Sequence, residues 1–187
     1  MYFFYIYTHN INMKKIKIIN VFLLFGLSFL AHFMYKWFPC FITSVFFPVN
    51  ESVWEHMKII FTCSLIIGLI EYFILKIKHI EYENIIINTP IISILGITVY
   101  LVLYYSITSF IKESMLLNIA LLLIVYIIMQ LISYYILSSE HIKYEKAIGI
   151  SITISCILLF GYLTYYPIKD KLFLDTEKNA YGIIKEE

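Results

Sequence analysis

Residues 115–137 read MLLNIALLLIVYIIMQLISYYIL, twenty-three positions without a charged side chain. A helix of that length rises about 35 Å, enough to cross a hydrocarbon core of about 30 Å. No water in such a core can satisfy a free backbone N–H or C=O, so the stretch must pair its own backbone as a helix despite its Ile and Val. Four further stretches share the pattern: 18–35, 59–75, 91–111 and 147–166. The five spans hold 99 of the 187 residues but only one of the 27 charged ones, Glu71. A β-barrel would need short alternating segments, which are absent. The fold class expected is an all-α, polytopic transmembrane helix bundle of about five helices.

The composition agrees. Hydrophobic residues make up 61% and charged residues 14%, against about 45–50% and about 25% in a soluble domain. Mean hydropathy is +0.83. A soluble enzyme is excluded on this balance. So are a nucleic-acid partner, which requires a basic surface, and a disordered chain. The partner implied is the lipid bilayer. The chain has 38 Ile and 14 Lys but no Arg, the mark of an AT-rich coding sequence, so its abundance of Ile and Tyr is not read as function. Cys40, Cys63 and Cys156 show no metal or redox spacing.

Three regions follow: a cytoplasmic segment 1–17, a five-helix transmembrane domain 18–166 and an extracytoplasmic tail 167–187. Met13-Lys14-Lys15-Ile16-Lys17 resembles an ordinary start before a membrane span, which leaves 1–12 as a stretch that need not be translated. Lys14, Lys15 and Lys17 ahead of the first span place the N-terminus inside the plasma membrane. Five spans then place the C-terminus outside. A re-entrant element between Pro39 and Pro48 is the alternative that would complicate this count. Asn88 or Thr89 is expected to cap the third span, with Pro90 at its first helical position. Ser114 is expected to cap the fourth.

One polar cluster breaks the apolar pattern, PVNESVWEHMK at 48–58. Asn50 reads as an N-cap with Glu51 in the first turn of a helix that continues into the second span. At helical spacing Glu51, Glu55 and Lys58 share one face, and Ser52 and His56 the adjacent one. Trp54 points toward lipid headgroups or another helix. His32, near the end of the first span, comes to similar depth if the first two spans are antiparallel neighbours. His32, Glu55 and His56 are then candidate metal ligands, with zinc the expected ion and Glu51 the base activating water. The same groups could form a proton relay, or an acid–base pair with Ser52 as nucleophile. The plain alternative is structural: Asn50 and Glu51 cap the helix, Glu55 and Lys58 form a surface pair, and Trp54 and His56 anchor at the interface. The spacing matches no zinc-protease helix motif.

Glu71 sits near the other end of the second span, where Lys76 or Lys78 could pair with it. Asn118 and Gln130 read as interhelical hydrogen-bonding groups. His79, Glu81, Glu83, Glu140, His141, Lys143 and Glu145 read as loop charges. The tail keeps apolar character in 172–174 and 181–184, enough to fold over the cluster as a lid or to rest at the interface on Phe173 and Tyr181.

The stretch from Phe47 through Pro48, Asn50, Trp54 and Lys58 resembles the hallmark of an uncharacterised family of small bacterial multi-pass membrane proteins, a domain of unknown function. His32-Phe33-Met34-Tyr35 also resembles that family's pattern, as does the tail through Asp175, Tyr181 and Gly182. Thr176 and Asn179-Ala180 depart from its usual tail. The resemblance implies membrane location and a polar motif at the first loop, and carries no activity. Three functions stay open: a metal-dependent hydrolase of a lipid or envelope substrate, a small transporter using Glu71 and the polar cluster, and a membrane scaffold.

Overall fold

The computed structural model describes residues 2–80 and 82–184, with side chains from Met13 onward. The reading that 1–12 precedes the true start, and Glu81 as a loop charge, lie outside the described residues or side chains. Six helices form: α1 (Tyr2–Trp37), α2 (Phe41–Phe46), α3 (Val53–Ile77), α4 (Ile85–Thr108), α5 (Met115–Leu137) and α6 (Glu145–Tyr165). Five are long and apolar enough to cross a membrane. The sixth, α2, is the element anticipated between Pro39 and Pro48. Its six residues rise only about 9 Å, so it rests at the end of the bundle against α6 instead of crossing it.

Helix α1 packs on α3 and α5, and α4 packs on α3, α5 and α6. Helices α1, α3, α4 and α5 therefore close around a shared core that includes Leu24, Ile60, Cys63, Val125, Tyr126 and Met129. At its centre the Ser28 hydroxyl lies 2.6 Å from the Tyr126 hydroxyl and also reaches the Cys63 sulfur, a polar junction of three helices. Helix α6 stands outside the ring. It approaches α4 closely because Gly149 lies against the Ile87 backbone, where a Cβ would come within 2.8 Å of Ile87 Cα. Small residues of this kind let helix backbones meet in a medium without hydrophobic drive. Large apolar side chains such as Phe22, Leu131 and Leu158 face outward, as a membrane protein requires.

At the end of the bundle away from the tail, Glu71 is buried and is held by Lys17 and by Asn20 Nδ2 at 2.9 Å. The expected partners Lys76 and Lys78 lie further along the same helix. Lys17 comes instead from the facing helix, where it compensates the carboxylate inside the packed interface. Helix α4 starts earlier than the Pro90 signal suggested, with Asn84 as N-cap in a left-handed conformation (φ 60°). Pro90 is its sixth residue, where the ring forfeits one helical hydrogen bond. Asn84 is used as a clamp: its amide donates to the Ile136 and Glu140 carbonyls and its Oδ1 accepts from Ile142 N–H. Asn88 donates to Ser133 between α4 and α5, an interhelical hydrogen bond of the kind expected of Asn118 and Gln130. The Gln130 Oε1 is buried without a hydrogen-bond partner among the described residues. Ser114 caps α5 as expected, accepting from Leu117 N–H.

Removing one member of a buried ion pair costs about 3–5 kcal/mol, because the other charge is left stranded. Lys17→Met should lower the melting temperature of detergent-purified protein sharply, and the Lys17→Met/Glu71→Met double variant should recover most of the loss. Equal melting of the single and double variants would contradict this role for the pair.

Candidate functional site

The N-terminal end of α3 sets the geometry. Ser52, not Asn50, is the N-cap, and its hydroxyl accepts from Glu55 N–H at 3.3 Å. Asn50 stands two positions outside. Its Oδ1 accepts from Ser52 N–H and its Nδ2 donates to the Gly182 carbonyl, each at 2.8 Å. This shift places Glu51 before the helix, so helical periodicity does not fix its side chain, and it turns toward His32 and His56.

Glu51 Oε1 lies 3.7 Å from His32 Nε2, and its Oε2 lies 3.3 Å from His56 Nε2. The imidazoles stack with centroids 5.1 Å apart and planes 26° apart. One ligand atom from each of the three residues lies within 4.8 Å of the others. Tetrahedral zinc with bonds of about 2.0–2.1 Å would set its ligands about 3.3 Å apart, slightly tighter than this arrangement. His56 Nδ1 is 2.9 Å from the Ser52 carbonyl, which can only accept, so Nδ1 carries the hydrogen. In the neutral ring Nε2 then presents a lone pair to a carboxylate that also only accepts. Two acceptors facing each other need a cation between them, either a proton or a metal ion. The backbone contact at Nδ1 is the kind of outer support that orients a histidine ligand. His56, hydrogen-bonded to Glu51, holds the Glu51 carboxyl below the usual carboxylate range, with the charges of His32 and Lys178 adding to the effect. The contribution of this pairing is lost as pH falls through the depressed carboxylate pKa, and lost again as pH rises and His56 gives up the proton that faces Glu51.

Glu55 has another task. Its carboxylate lies 2.6 Å from Lys58 Nζ, with the two side chains 2% and 0% exposed. It also accepts from Val49 N–H and from the Thr164 hydroxyl, each at 3.0 Å. Lys58 in turn donates to the Ser44 and Phe47 carbonyls at 2.7 and 3.5 Å, and Thr62 donates to the Phe46 carbonyl. These carbonyls end α2, where a helix leaves acceptors unsatisfied and favours a cation. Glu55 and Lys58 are thus a sealed joint between α2, α3 and α6, not a surface pair, and Glu55 does not reach the histidines. The structure brings Glu51 to them in its place. Ser52 is buried in its cap, with its hydroxyl on Glu55 N–H.

The tail closes over this end. A 3-10 turn at Lys171–Phe173 leads into a two-stranded hairpin, β1 (Leu174–Asp175) and β2 (Ala180–Tyr181), with Leu174 opposite Tyr181 and Asp175 opposite Ala180. Asp175 is fully buried. Its Oδ1 accepts from the Glu177 and Lys178 N–H groups inside the hairpin turn, and its Oδ2 accepts from Glu51 N–H at 3.1 Å. Gly182 has φ +64°, and a Cβ there would meet the Thr164 carbonyl at 2.9 Å. Trp54 packs between Phe160 of α6 and Phe173 of the tail, at centroid distances of 5.1 and 4.8 Å. It therefore faces a helix and the tail instead of headgroups. Tyr35 and Pro48 line a cavity of about 650 Å³ beneath the hairpin with Asp175.

A second cavity of about 610 Å³ opens from the histidine–glutamate group into the bundle. His32, Glu51, His56, Lys112, Glu113, Asn118 and Glu177 supply its polar end. Glu113, Asn118 and Glu177 were not singled out as site residues from sequence, because they join the group only through the α4–α5 connection and the tail turn. No local spacing records either approach.

The description "Family of unknown function (DUF6512)" belongs to a family model that matches residues 4–183. The chain belongs to this family. No curated protein and no solved structure is significantly similar to it. Within the DUF6512 chain, the 48–58 stretch thus divides its labour: Asn50 and Ser52 fix the backbone, Glu55 and Lys58 lock the bundle, and Glu51 and His56 face the cavity.

Lys58→Met should destabilise the protein by about 3–5 kcal/mol by stranding Glu55, measured by thermal unfolding in detergent. Asp175→Ala should free the hairpin with a smaller loss. The check is limited proteolysis, with cleavage gained between residues 170 and 184 while the helical core stays resistant.

Proposed function

We propose that this protein is a multi-pass plasma-membrane hydrolase in which His32, Glu51 and His56 hold a divalent cation, zinc by preference, with the tail-bearing end outside the cell. The observation carrying this reading is the convergence of two imidazole nitrogens and a carboxylate within 4.8 Å at the mouth of a cavity. Three protein ligands with an open position characterise catalytic zinc sites, whereas structural sites are closed by four. Such an ion supplies Lewis acidity and lowers the pKa of water to near 7. The chain's own residues supply the rest. His56 is fixed through Ser52, and Glu51 is fixed through Asp175. Glu177 lines both cavities, as do His32 and Glu51, and is the group assigned to carry the proton. In ester cleavage the water oxygen bonds to the acyl carbon and the carbon–oxygen bond to the alcohol breaks. Glu177 takes a proton from water and returns it to the departing alkoxide. The transport reading has less support, because Glu71 is locked to Lys17 and Asn20 and lines neither cavity.

Metal analysis tests the reading. Protein purified in detergent, loaded with zinc and dialysed against metal-free buffer should retain about one equivalent. The His32→Ala/His56→Ala double variant and Glu51→Gln should retain little, with unchanged gel-filtration profiles. Wild-type retention below about a tenth of an equivalent, unaffected by these substitutions, would overturn it.

A further inference from the structure

The cavity beside the metal-ligand group has two chemically distinct ends. Its polar end carries the two histidines, three carboxylates and Lys112. Below, its walls are Phe29, Ile59, Ile60, Tyr100, Ile119 and Leu122. From Met115 to Leu122, both of which line it, α5 descends about 10 Å. The cavity's 610 Å³ is within the ordinary range of small-molecule sites, about 300–1,000 Å³. In a bilayer the material at hand to fill an apolar space is hydrocarbon.

Its flank indicates how a chain would arrive. Phe29 and Phe33 on α1 and Met115 on α5 line the cavity and are 42%, 41% and 78% exposed. Exposed side chains along the edge of a cavity mark its opening, here along α1 and the start of α5. The polar end carries a second mark. Asn118 Nδ2 donates to Glu113 Oε1 at 3.0 Å. A carboxylate only accepts, so this contact fixes which way the amide faces. The Asn118 Oδ1 is then a buried acceptor with no donor among the described residues. Buried acceptors are ordinarily paired, and a turn of the Asn118 side chain toward the cavity it lines would let a ligand hydroxyl pair this one.

We propose that the cavity binds a single-chain, neutral membrane amphiphile with a hydroxyl-bearing head, of the monoacylglycerol class. The chain enters between α1 and α5, and the head lies between Asn118 and the His32–Glu51–His56 group. The assignment of this lipid as substrate rests on the hydrolytic reading above; the binding of the chain does not. The ester of such a molecule lies where its chain meets its head, which matches the junction of the apolar walls with the metal-ligand group. Hydrolysis there adds water across the acyl carbon–oxygen bond and yields a fatty acid and glycerol.

Photolabelling in lipid nanodiscs tests this, using a monoacylglycerol with a diazirine in its chain. The expected labels fall on peptides containing Phe29–Phe33 and Met115–Leu122. Ile119→Trp, which fills the apolar end, should reduce labelling about tenfold, and Asn118→Leu, which leaves that end intact, about fivefold. The dimethyl ether of the same probe should label wild type about as weakly as the glycerol probe labels Asn118→Leu. Labels spread along the lipid-facing side of α6 and unchanged by Ile119→Trp would overturn the chain site. Equal labelling by the hydroxyl and ether probes, or stronger labelling by a phosphate-headed single-chain probe, would overturn the head assignment. Specific labelling that survives chelation, in protein that neither holds zinc nor releases fatty acid, would uphold the binding site and overturn the hydrolytic reading alone.

Discussion

The buried pairing of Glu55 with Lys58 is the contact on which this end of the molecule depends. Two opposite charges one helical turn apart are sealed from water and tie α2, the loop before α3 and α6 to one point on α3. Lys58 and Thr62 donate to the carbonyls that end α2. Glu55 receives the Val49 N–H and the Thr164 hydroxyl of α6. Buried charge of this kind is weak evidence for stability, since its desolvation offsets much of the attraction. What it specifies is geometry. With Glu55 fully occupied, the carboxylate facing His32 and His56 has to come from outside the helix, and Glu51 supplies it.

The helices were legible in the sequence because the bilayer leaves a backbone few choices. A stretch such as 115–137 pairs its own N–H and C=O groups whatever its β-branched content. Polar residues were legible as a cluster but not as individuals. Placing the cap at Asn50 instead of Ser52 shifts every role, because a helical Glu51 would have been bound to the face it shares with Glu55 and Lys58. Pairing across helices was beyond sequence reading altogether. Lys17 and Glu71 are 54 positions apart, and only the packing of α1 on α3 sets one against the other. The cavity is a further step removed, since its polar end joins the ends of α1 and α3 to the α4–α5 connection and the tail.

The two ends of the bundle treat polarity in opposite ways. At one, Lys17, Asn20 and Glu71 satisfy one another inside the helix packing. At the other, Glu51 and both histidines are only partly covered, and a buried Asn118 acceptor is left without a donor. A closed polar group serves assembly. An open one beside a cavity is free to serve the proposed site.

The hairpin that fixes Glu51 through Asp175, and Asn50 through Gly182, lies more than 120 positions after the residues it holds. During synthesis α1 and α3 are complete long before that hairpin leaves the ribosome. The pairing of Glu51 with the histidines is therefore among the last features of the described chain to be set. A nascent bundle can have all its long helices formed while its Glu51 backbone is still untethered, so a ligand needing that geometry would meet it only once the tail has docked.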